Sequence, residues 1–330
     1  MEEILVSIDC ITYNHEKYIR KAIEGFLMQK TNFKYEILIH DDASTDKTQD
    51  IIIEYQKQYP DLIKPILQKE NQYSKGGKVS YRFNVSRAKG KYIAICEGDD
   101  YWTDPNKLQK QVDYMENNPD CGMCFHAFKM ESDNKIINEI RVYNKNCISS
   151  TDDIILGDGG FISTNTILYR RNLMENPPDF YLECSVGDYP LQIYTSMNKY
   201  AYYLNESMSV YRYLSENSWT KKMETDADSK EKIVRHRKNI IKLLNDINEY
   251  TEFRYNKSIN KKTLLLEMDV YLLRGDLKKI KDLKNSNRKI YKEVFGTLSP
   301  KEKIKYGVPI FYIILRKFKW IKHNILMRIK

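Results

Sequence analysis

The feature that most constrains the fold is an alternation of short apolar runs and amphipathic segments in the first 115 residues. Apolar runs at 4–11, 35–40, 62–67 and 91–96 have the composition and length of buried strands. Residues 18–27, 51–55 and 104–115 carry apolar side chains at helical spacing. This order predicts an α/β fold, with a mostly parallel sheet flanked by helices.

Polar residues cluster where three of these strands end. The clusters are TYN at 12–14, DDAS at 41–44 and EGDD at 97–100. Ligands of parallel sheets bind outside the carboxyl ends of the strands, so we expect the clusters to lie together. Asn14 also stands where it can cap the first helix.

The rest of the chain changes character twice. Between about 150 and 220 we predict a strand at 161–171, a helix at 187–197 that begins near Asp188, and short strands at 199–204 and 208–214. From about 229 the pattern is helical, and Gly275 separates two runs of a predicted hairpin. We therefore divide the chain into a domain of residues 1–222, with halves 1–115 and 116–222, and a helical region at 223–330.

Charge and cysteine content exclude several classes of protein. The net charge is +9, and residues 301–330 hold nine Lys or Arg against one acid. The rest of the chain is near neutral, so we expect no nucleic-acid partner. No signal peptide or membrane-spanning run is predicted, and six cysteines form no disulfide framework. The sequence thus predicts a cytoplasmic protein.

Cys121, Cys124 and His126 raise the possibility of a metal knuckle. A structural zinc site normally needs a second ligand pair, and none is apparent at a suitable spacing. We interpret both cysteines as buried strand residues.

The segment CEGDDYW at 96–102 brings Glu97, Asp99 and Asp100 to the end of a predicted buried strand. Mg²⁺ and Mn²⁺ prefer oxygen ligands and commonly share carboxylates with substrate phosphates. A cation would relieve the repulsion between the carboxylates. The alternative is an acidic turn that caps the helix beginning near 104.

Three blocks taken together resemble the family 2 glycosyltransferases. They are VSIDCITYNHEKYIRKAIEGFLMQ at 6–29, YEILIHDDASTDKTQDII at 35–52 and AKGKYIAICEGDDYWTDPNKLQKQV at 88–112. The resemblance covers roughly residues 4–220. It implies the Rossmann-like type A fold, a nucleotide-binding half at 1–115, an acceptor half at 116–222, and inverting transfer from a nucleotide sugar.

The resemblance also implies roles for individual residues of the nucleotide-binding half. Asp41 would accept a hydrogen bond from the base, and Asp99 and Asp100 would hold Mn²⁺ or Mg²⁺. UDP is the favoured carrier because Asp41 and Tyr13 match the family's base site, and guanosine and thymidine carriers are the alternatives. Glu97 stands where the family usually has Asp. The remaining residues expected to contact the nucleotide are Thr12, Tyr13, Asn14, Asn71, Arg82, Glu97 and Gly98.

The general base is expected at Asp188. Family members often carry a Glu-Asp pair at the start of a helix, and this chain has Gly187 in place of the Glu. The alternative role for Asp188 is a helix cap. Ser218 and Trp219 fall in a region that often closes over the donor, although ordinary loop packing explains them equally well.

The basic tail at 306–330 joins an apolar stretch to an amphipathic run that contains Phe318 and Trp320. This composition suits a helix at an anionic membrane surface, or a helix packed on the catalytic domain. We expect peripheral attachment at the inner face of the cell membrane, a glycan or lipid-linked acceptor, and a role in bacterial surface polysaccharide synthesis. The alternative functions are a nucleotide-sugar-binding scaffold and a sugar nucleotidyltransferase.

Overall fold

The computed structural model describes residues 3–76, 78–157, 160–197, 199–215, 221 and 228–310. The chain forms two compact units, Met1–Glu224 and Thr225–Lys330.

The first unit is built around a sheet of ten strands. The strands are β1 Ile4–Thr12, β2 Lys34–Asp41, β3 Ile63–Leu67, β4 Tyr92–Ile95, β5 Tyr101–Trp102, β6 Cys121–Ser132, β7 Lys135–Ile140, β8 Cys147–Ser149, β9 Leu168–Arg170 and β10 Tyr200–Arg212.

The sheet has the order β3-β2-β1-β4-β9-β6-β10-β5, with β7 on β6 and β8 on β10. Strands β1, β2, β3 and β4 run parallel, β6 and β10 are also parallel, and β5 pairs antiparallel with β10. Strand β9 joins the two groups through antiparallel pairs with β4 and β6. The predicted fold class is confirmed, and β3, which contains Pro65, lies at the sheet edge where proline is tolerated.

Helices of the first unit pack against this sheet. In the first helix, Ile19, Ala22, Ile23 and Phe26 are fully buried, as the apolar spacing predicts. The Phe26 ring meets the Trp102 indole edge to face, with 4.9 Å between ring centroids. The helices are α1 Ile19–Leu27, α2 Thr48–Gln58, α3 Lys107–Asn117, α4 Thr151–Gly157, α5 Asp179–Glu183 and α6 Asp188–Met197, with a π-helical turn at Ser80–Asn84.

The strand predicted at 161–171 was wrong in extent, because only Leu168–Arg170 is extended. Thr164–Thr166 forms a 3₁₀ turn instead, and the Thr166 hydroxyl donates to the Ser163 carbonyl at 2.6 Å. Such local hydrogen bonds offer the backbone an alternative to the sheet.

The two strands predicted at 199–204 and 208–214 are one strand, β10. Its pairing with β6 shifts register between Leu204 and Ser209. The polar residues between the two apolar runs therefore lie in a bulged part of the strand rather than in a turn.

The second unit contains α7 Ser229–Tyr250, α8 Asn256–Arg274, α9 Leu277–Ser286, α10 Arg288–Thr297 and α11 Pro300–Gly307. The predicted hairpin is confirmed, since Gly275 ends α8 with a left-handed φ of 74° and Asp276 caps α9. No helix in the described part of the chain is long and apolar enough to cross a membrane. Most of the basic tail, residues 311–330, lies outside the described residues.

Candidate active site

The three polar clusters meet at one edge of the sheet. Thr12 is the register partner of Asp41 at the ends of β1 and β2. The Gly98 N–H donates to the Ile11 carbonyl at 2.9 Å, which joins the segment after β4 to β1. The parallel topology thus brings together the clusters that the sequence places far apart.

The turn after β1 is hydrogen-bonded to the loop after β2. The Asn14 side chain accepts from the Thr45 N–H at 2.8 Å, and its own N–H donates to the Ser44 hydroxyl at 2.8 Å. Asn14 has φ 55° and does not cap α1, whose preceding residue is Tyr18. The predicted cap was therefore wrong, because the Asn14 side chain is engaged by the neighbouring loop.

Asp41 is fully buried within this loop. One carboxylate oxygen accepts from the Ser44 N–H at 2.9 Å and from Gln49 at 2.5 Å, and the other accepts from the Ser44 hydroxyl. In this conformation the carboxylate shapes the loop, so the base contact expected of it would require one of these partners to be displaced. Beside it, Thr12 is buried and Tyr13 is partly exposed.

Asn71 and Arg82 occupy different surroundings. The Asn71 amide donates to the Asp42 carbonyl at 3.2 Å and accepts from the Ser74 N–H at 2.7 Å, so it shapes the loop after β3. Arg82 is exposed and donates to the Gly76 carbonyl at 3.2 Å. We define residues 97–100 as the carboxylate loop. The described contacts of Arg82 do not reach this loop.

Asp100 is the last residue of the carboxylate loop and is only 1% exposed. One carboxylate oxygen accepts from the backbone N–H of Arg212 at 2.8 Å, and the other accepts from the side-chain amide of Asn165 at 2.9 Å. Burial, followed by the charge of Asp99, raises the pKa of Asp100 well above its usual range. These contacts argue against the direct metal contact expected of Asp100, and they make it a support of the loop.

Asp99 and Glu97 are more accessible than Asp100. One Asp99 carboxylate oxygen accepts from the Ser215 hydroxyl at 2.7 Å. Burial, and then the charges of Asp99, Asp188 and Asp9, raise the pKa of Glu97 to about 8. The loop therefore concentrates negative charge in a poorly solvated place. Ser218 and Trp219, expected nearby, lie outside the described residues.

Arg212, at the end of β10, supports the loop and was missed by the sequence analysis. Its guanidinium donates to the Asp99 carbonyl and to Glu131 at 3.0 Å, and the Tyr101 hydroxyl donates to Glu131 at 2.8 Å. The guanidinium also lies over the rings of Tyr18 and Tyr101. The available signal was one cation at the end of the apolar run 208–212.

Asp9, a buried acid of β1, is a second residue, after Arg212, whose role the sequence did not indicate. It is 2% exposed and accepts hydrogen bonds from Ser80 and, at 2.8 Å, from Asn84. Burial raises the pKa of Asp9 above its usual value. These contacts attach the π-helical turn to the middle of β1.

Asp188 is the first residue of α6. Its charge is one of the causes that raise the pKa of Glu97, after burial and the charge of Asp99. The ammonium group of Lys78 donates to the Val186 carbonyl, and its nitrogen lies 4.9 Å from the centroid of the Tyr181 ring. The start of α6 thus lies within electrostatic range of the carboxylate loop, although more than 80 residues separate Asp188 from Glu97 in the sequence.

Within the described residues, no group of three or more His, Cys, Asp or Glu side chains could by itself hold a metal ion. Cys121 and Cys124 are buried in β6, as predicted. Carboxylate oxygens at Asp99 and Glu97 suit Mg²⁺ or Mn²⁺, which commonly bind one or two protein groups together with substrate phosphates. The donor chemistry therefore fits a cation that is shared with a diphosphate.

Comparison with known proteins gives a consistent result. The family model described as glycosyl transferase family 2 matches residues 7–176. The uncharacterized protein Rv1520 of Mycobacterium tuberculosis is 38% identical over 215 residues, which are 65% of this chain and 60% of that protein. WfgD of Escherichia coli, a UDP-Glc:alpha-D-GlcNAc-diphosphoundecaprenol beta-1,3-glucosyltransferase, is 30% identical over 194 residues, which are 56% of this chain and 71% of that protein.

A solved structure of Staphylococcus aureus TarS, residues 1–349 in complex with UDP-GlcNAc, has a similar fold. Its TM-score is 0.61 at 17% identity, and the match covers 94% of this chain and 88% of that chain. At this level of identity the similarity concerns the fold alone.

Proposed function

Because the chain belongs to glycosyl transferase family 2, we propose that it transfers a sugar, with inversion, from a nucleoside diphosphate donor to a hydroxyl group. The proposed donor is a UDP-sugar, and the proposed acceptor is a glycan or a lipid-linked saccharide of a bacterial surface polysaccharide. The observation that carries the proposal is the meeting of the three strand-end clusters at one edge of the sheet, and the electrostatic effect of Asp188 on Glu97 supports it.

Asp99 is the proposed metal ligand of the carboxylate loop. Its carbonyl is fixed by Arg212 and its carboxylate by Ser215, so its direction is set before any ligand binds. A bound Mn²⁺ or Mg²⁺ would neutralise the charge that develops on the leaving diphosphate. Glu97 and the Gly98 backbone are proposed as further contacts to the nucleotide sugar.

Asp188 is the proposed general base. It would accept the proton of the acceptor hydroxyl while the hydroxyl oxygen forms a bond to the anomeric carbon. The bond from that carbon to the diphosphate oxygen breaks in the same step, and the nucleoside diphosphate leaves with the bonding electrons. A single displacement inverts the anomeric centre and needs no covalent nucleophile.

A nucleotide-sugar-binding scaffold is the second candidate, since Gly187 replaces an acid that the family often carries. Donor turnover separates this candidate from the enzyme. A sugar nucleotidyltransferase is less well supported, because the turn after β1, at 13–16, contains no glycine for a phosphate-binding loop. Residues 306–330 would attach the protein to anionic lipid on the cytoplasmic face of a membrane, and their removal should then reduce sedimentation with anionic vesicles.

The first experiment is thermal unfolding of the full chain with UDP, GDP and dTDP, each with and without Mn²⁺. A ligand that binds the native state raises the melting temperature. We expect a Mn²⁺-dependent rise with UDP that is absent in Asp99→Asn and retained in Asp188→Asn. Asp61→Asn, a change in an exposed turn, is the matched control.

Donor turnover is then measured with the same variants. Loss of the base should reduce sugar transfer by roughly 100- to 10,000-fold, with donor binding unchanged. Wild-type turnover in Asp188→Asn would move the base elsewhere. The absence of any nucleotide response in the wild type would contradict the donor site itself.

A further inference from the structure

His15 lies in the turn after β1, beside the carboxylate loop, and none of the roles above uses it. The backbone N–H of His15 donates to the Thr48 hydroxyl at 2.8 Å, and the ring Nδ1 atom lies 3.1 Å from the Thr12 hydroxyl oxygen. The side chain is 11% exposed. Backbone and ring are therefore both held before a ligand arrives.

The other ring nitrogen faces Asp99. Nε2 lies 3.9 Å from the Asp99 Oδ2 atom. Metal–ligand bonds of about 2 Å separate two ligands of one cation by roughly 3 to 4 Å, so one ion fits between these atoms. We propose that His15 is a second protein ligand of the cation at Asp99, an inference that rests on the proposed function.

The hydrogen bond at Nδ1 supports this assignment. Metal-binding histidines usually donate their second ring N–H to an oxygen, which fixes the tautomer and the ring orientation. When the His15 Nδ1–H donates to Thr12, the Nε2 lone pair is directed toward Asp99. Thr12 is then a positioning residue for the ligand rather than a contact to the base.

Gly98 lies close to the same ring and to Thr12. A Cβ atom at this position would lie 3.1 Å from Nδ1 and 2.5 Å from the Thr12 hydroxyl oxygen. The glycine therefore lets the carboxylate loop approach the turn closely. Two protein ligands, with the remaining positions filled by diphosphate and water, match the usual pattern for such cations.

A nitrogen ligand has a measurable consequence for metal choice. Imidazole suits transition metals, whereas Mg²⁺ prefers oxygen ligands. His15 should therefore make the nucleotide complex prefer Mn²⁺ to Mg²⁺. Replacement of His15 by an amide, which retains an oxygen donor, should reduce that preference and leave Mg²⁺ binding nearly unchanged.

The test uses the full chain with UDP. Binding of Mn²⁺ is followed by the electron paramagnetic resonance of the free ion, and binding of Mg²⁺ by competition against Mn²⁺. His15→Gln and His15→Asn are compared with wild type, and His236→Gln, in the helical unit, controls for removal of an imidazole. We expect both His15 variants to bind Mn²⁺ roughly 10-fold or more weakly and the control to bind normally.

The melting temperature without ligand shows whether each variant is folded. Because both His15→Gln and His15→Asn are measured, the assignment can still be tested if one of them does not fold. Thr12→Val should weaken Mn²⁺ binding and Thr12→Ser should restore it, which a purely steric role for Thr12 would not produce. Wild-type Mn²⁺ affinity in a folded His15 variant overturns the assignment of His15 alone. No cation response in wild type overturns the proposed donor site together with it.

Discussion

Two loops of the candidate site are built in different ways. The loop after β2 is held largely by its own residues: Ser44 and Gln49 bind Asp41, three and eight positions away, and Asn14 of the turn after β1 binds it at Ser44 and Thr45. The carboxylate loop is held by distant residues, since Asn165, Arg212 and Ser215 lie 65, 112 and 116 positions from their partners. Sequence neighbours can shape a turn, but only the completed sheet can fix Asp99.

This difference predicts that substitutions of the distant supports of the carboxylate loop will affect the whole unit, whereas substitutions at exposed positions will have small effects. The distant residues also contribute to the core, because Arg212, Glu131 and Asn165 are all less than one-tenth exposed. A buried charge that loses its partner is costly, and an exposed loop residue is not.

The largest effect is expected for Arg212→Met. The change leaves the Glu131 carboxylate buried without its cation and should lower the free energy of unfolding by about 3 to 5 kcal/mol. Urea unfolding of the full chain measures the difference. The matched control is Arg20→Met, because the Arg20–Glu54 pair is 46% and 50% exposed and such pairs contribute about 1 kcal/mol or less.

A double variant distinguishes a lost charge partner from lost packing. Arg212→Met combined with Glu131→Met replaces the buried pair by apolar side chains, so it should recover part of the stability. Mn²⁺-dependent UDP binding should remain weak, because the Asp99 carbonyl has still lost its donor. Equal losses in Arg212→Met and Arg20→Met would contradict the contrast between the two kinds of support.

A smaller effect is expected where the two loops touch. Gly98→Ala places a methyl group 2.5 Å from the Thr12 hydroxyl oxygen, and such overpacking costs about 1 to 3 kcal/mol. Gly187→Ala is the control, since a Cβ there has no neighbour within 4 Å. Melting temperatures and UDP–Mn²⁺ binding should fall for Gly98→Ala alone, and equal behaviour of the two variants would refute the close approach.

The same contrast explains what could be predicted from the sequence. The apolar runs gave β1, β2, β3 and β4 nearly to the residue, because strand composition and period are local properties. The polar clusters could be placed together, because parallel topology brings strand ends to one edge.

The supports could not be predicted, because they depend on register between distant strands. Nothing near Asp100 in sequence shows that Asn165 and Arg212 will bury it. The helix cap at Asn14 was misjudged for a different reason: its side chain can bind a helix end or a neighbouring loop, and only the structure shows which partner is nearest.

The smallest effect is expected in the turn after β1, at Asn14, when glycine replaces it. This residue has φ 55°, a conformation that Asn and Gly tolerate and that costs other residues about 1 to 2 kcal/mol. Asn14→Gly should lose only the hydrogen bond to Thr45, about 0.5 to 1.5 kcal/mol. Asn14→Ala loses that bond and adds backbone strain, so its urea midpoint should be the lower of the two. Equal urea midpoints for Asn14→Ala and Asn14→Gly would show that the left-handed conformation of residue 14 does not contribute to stability. The turn after β1 would then be held by its contacts to Ser44, Asp46 and Thr48.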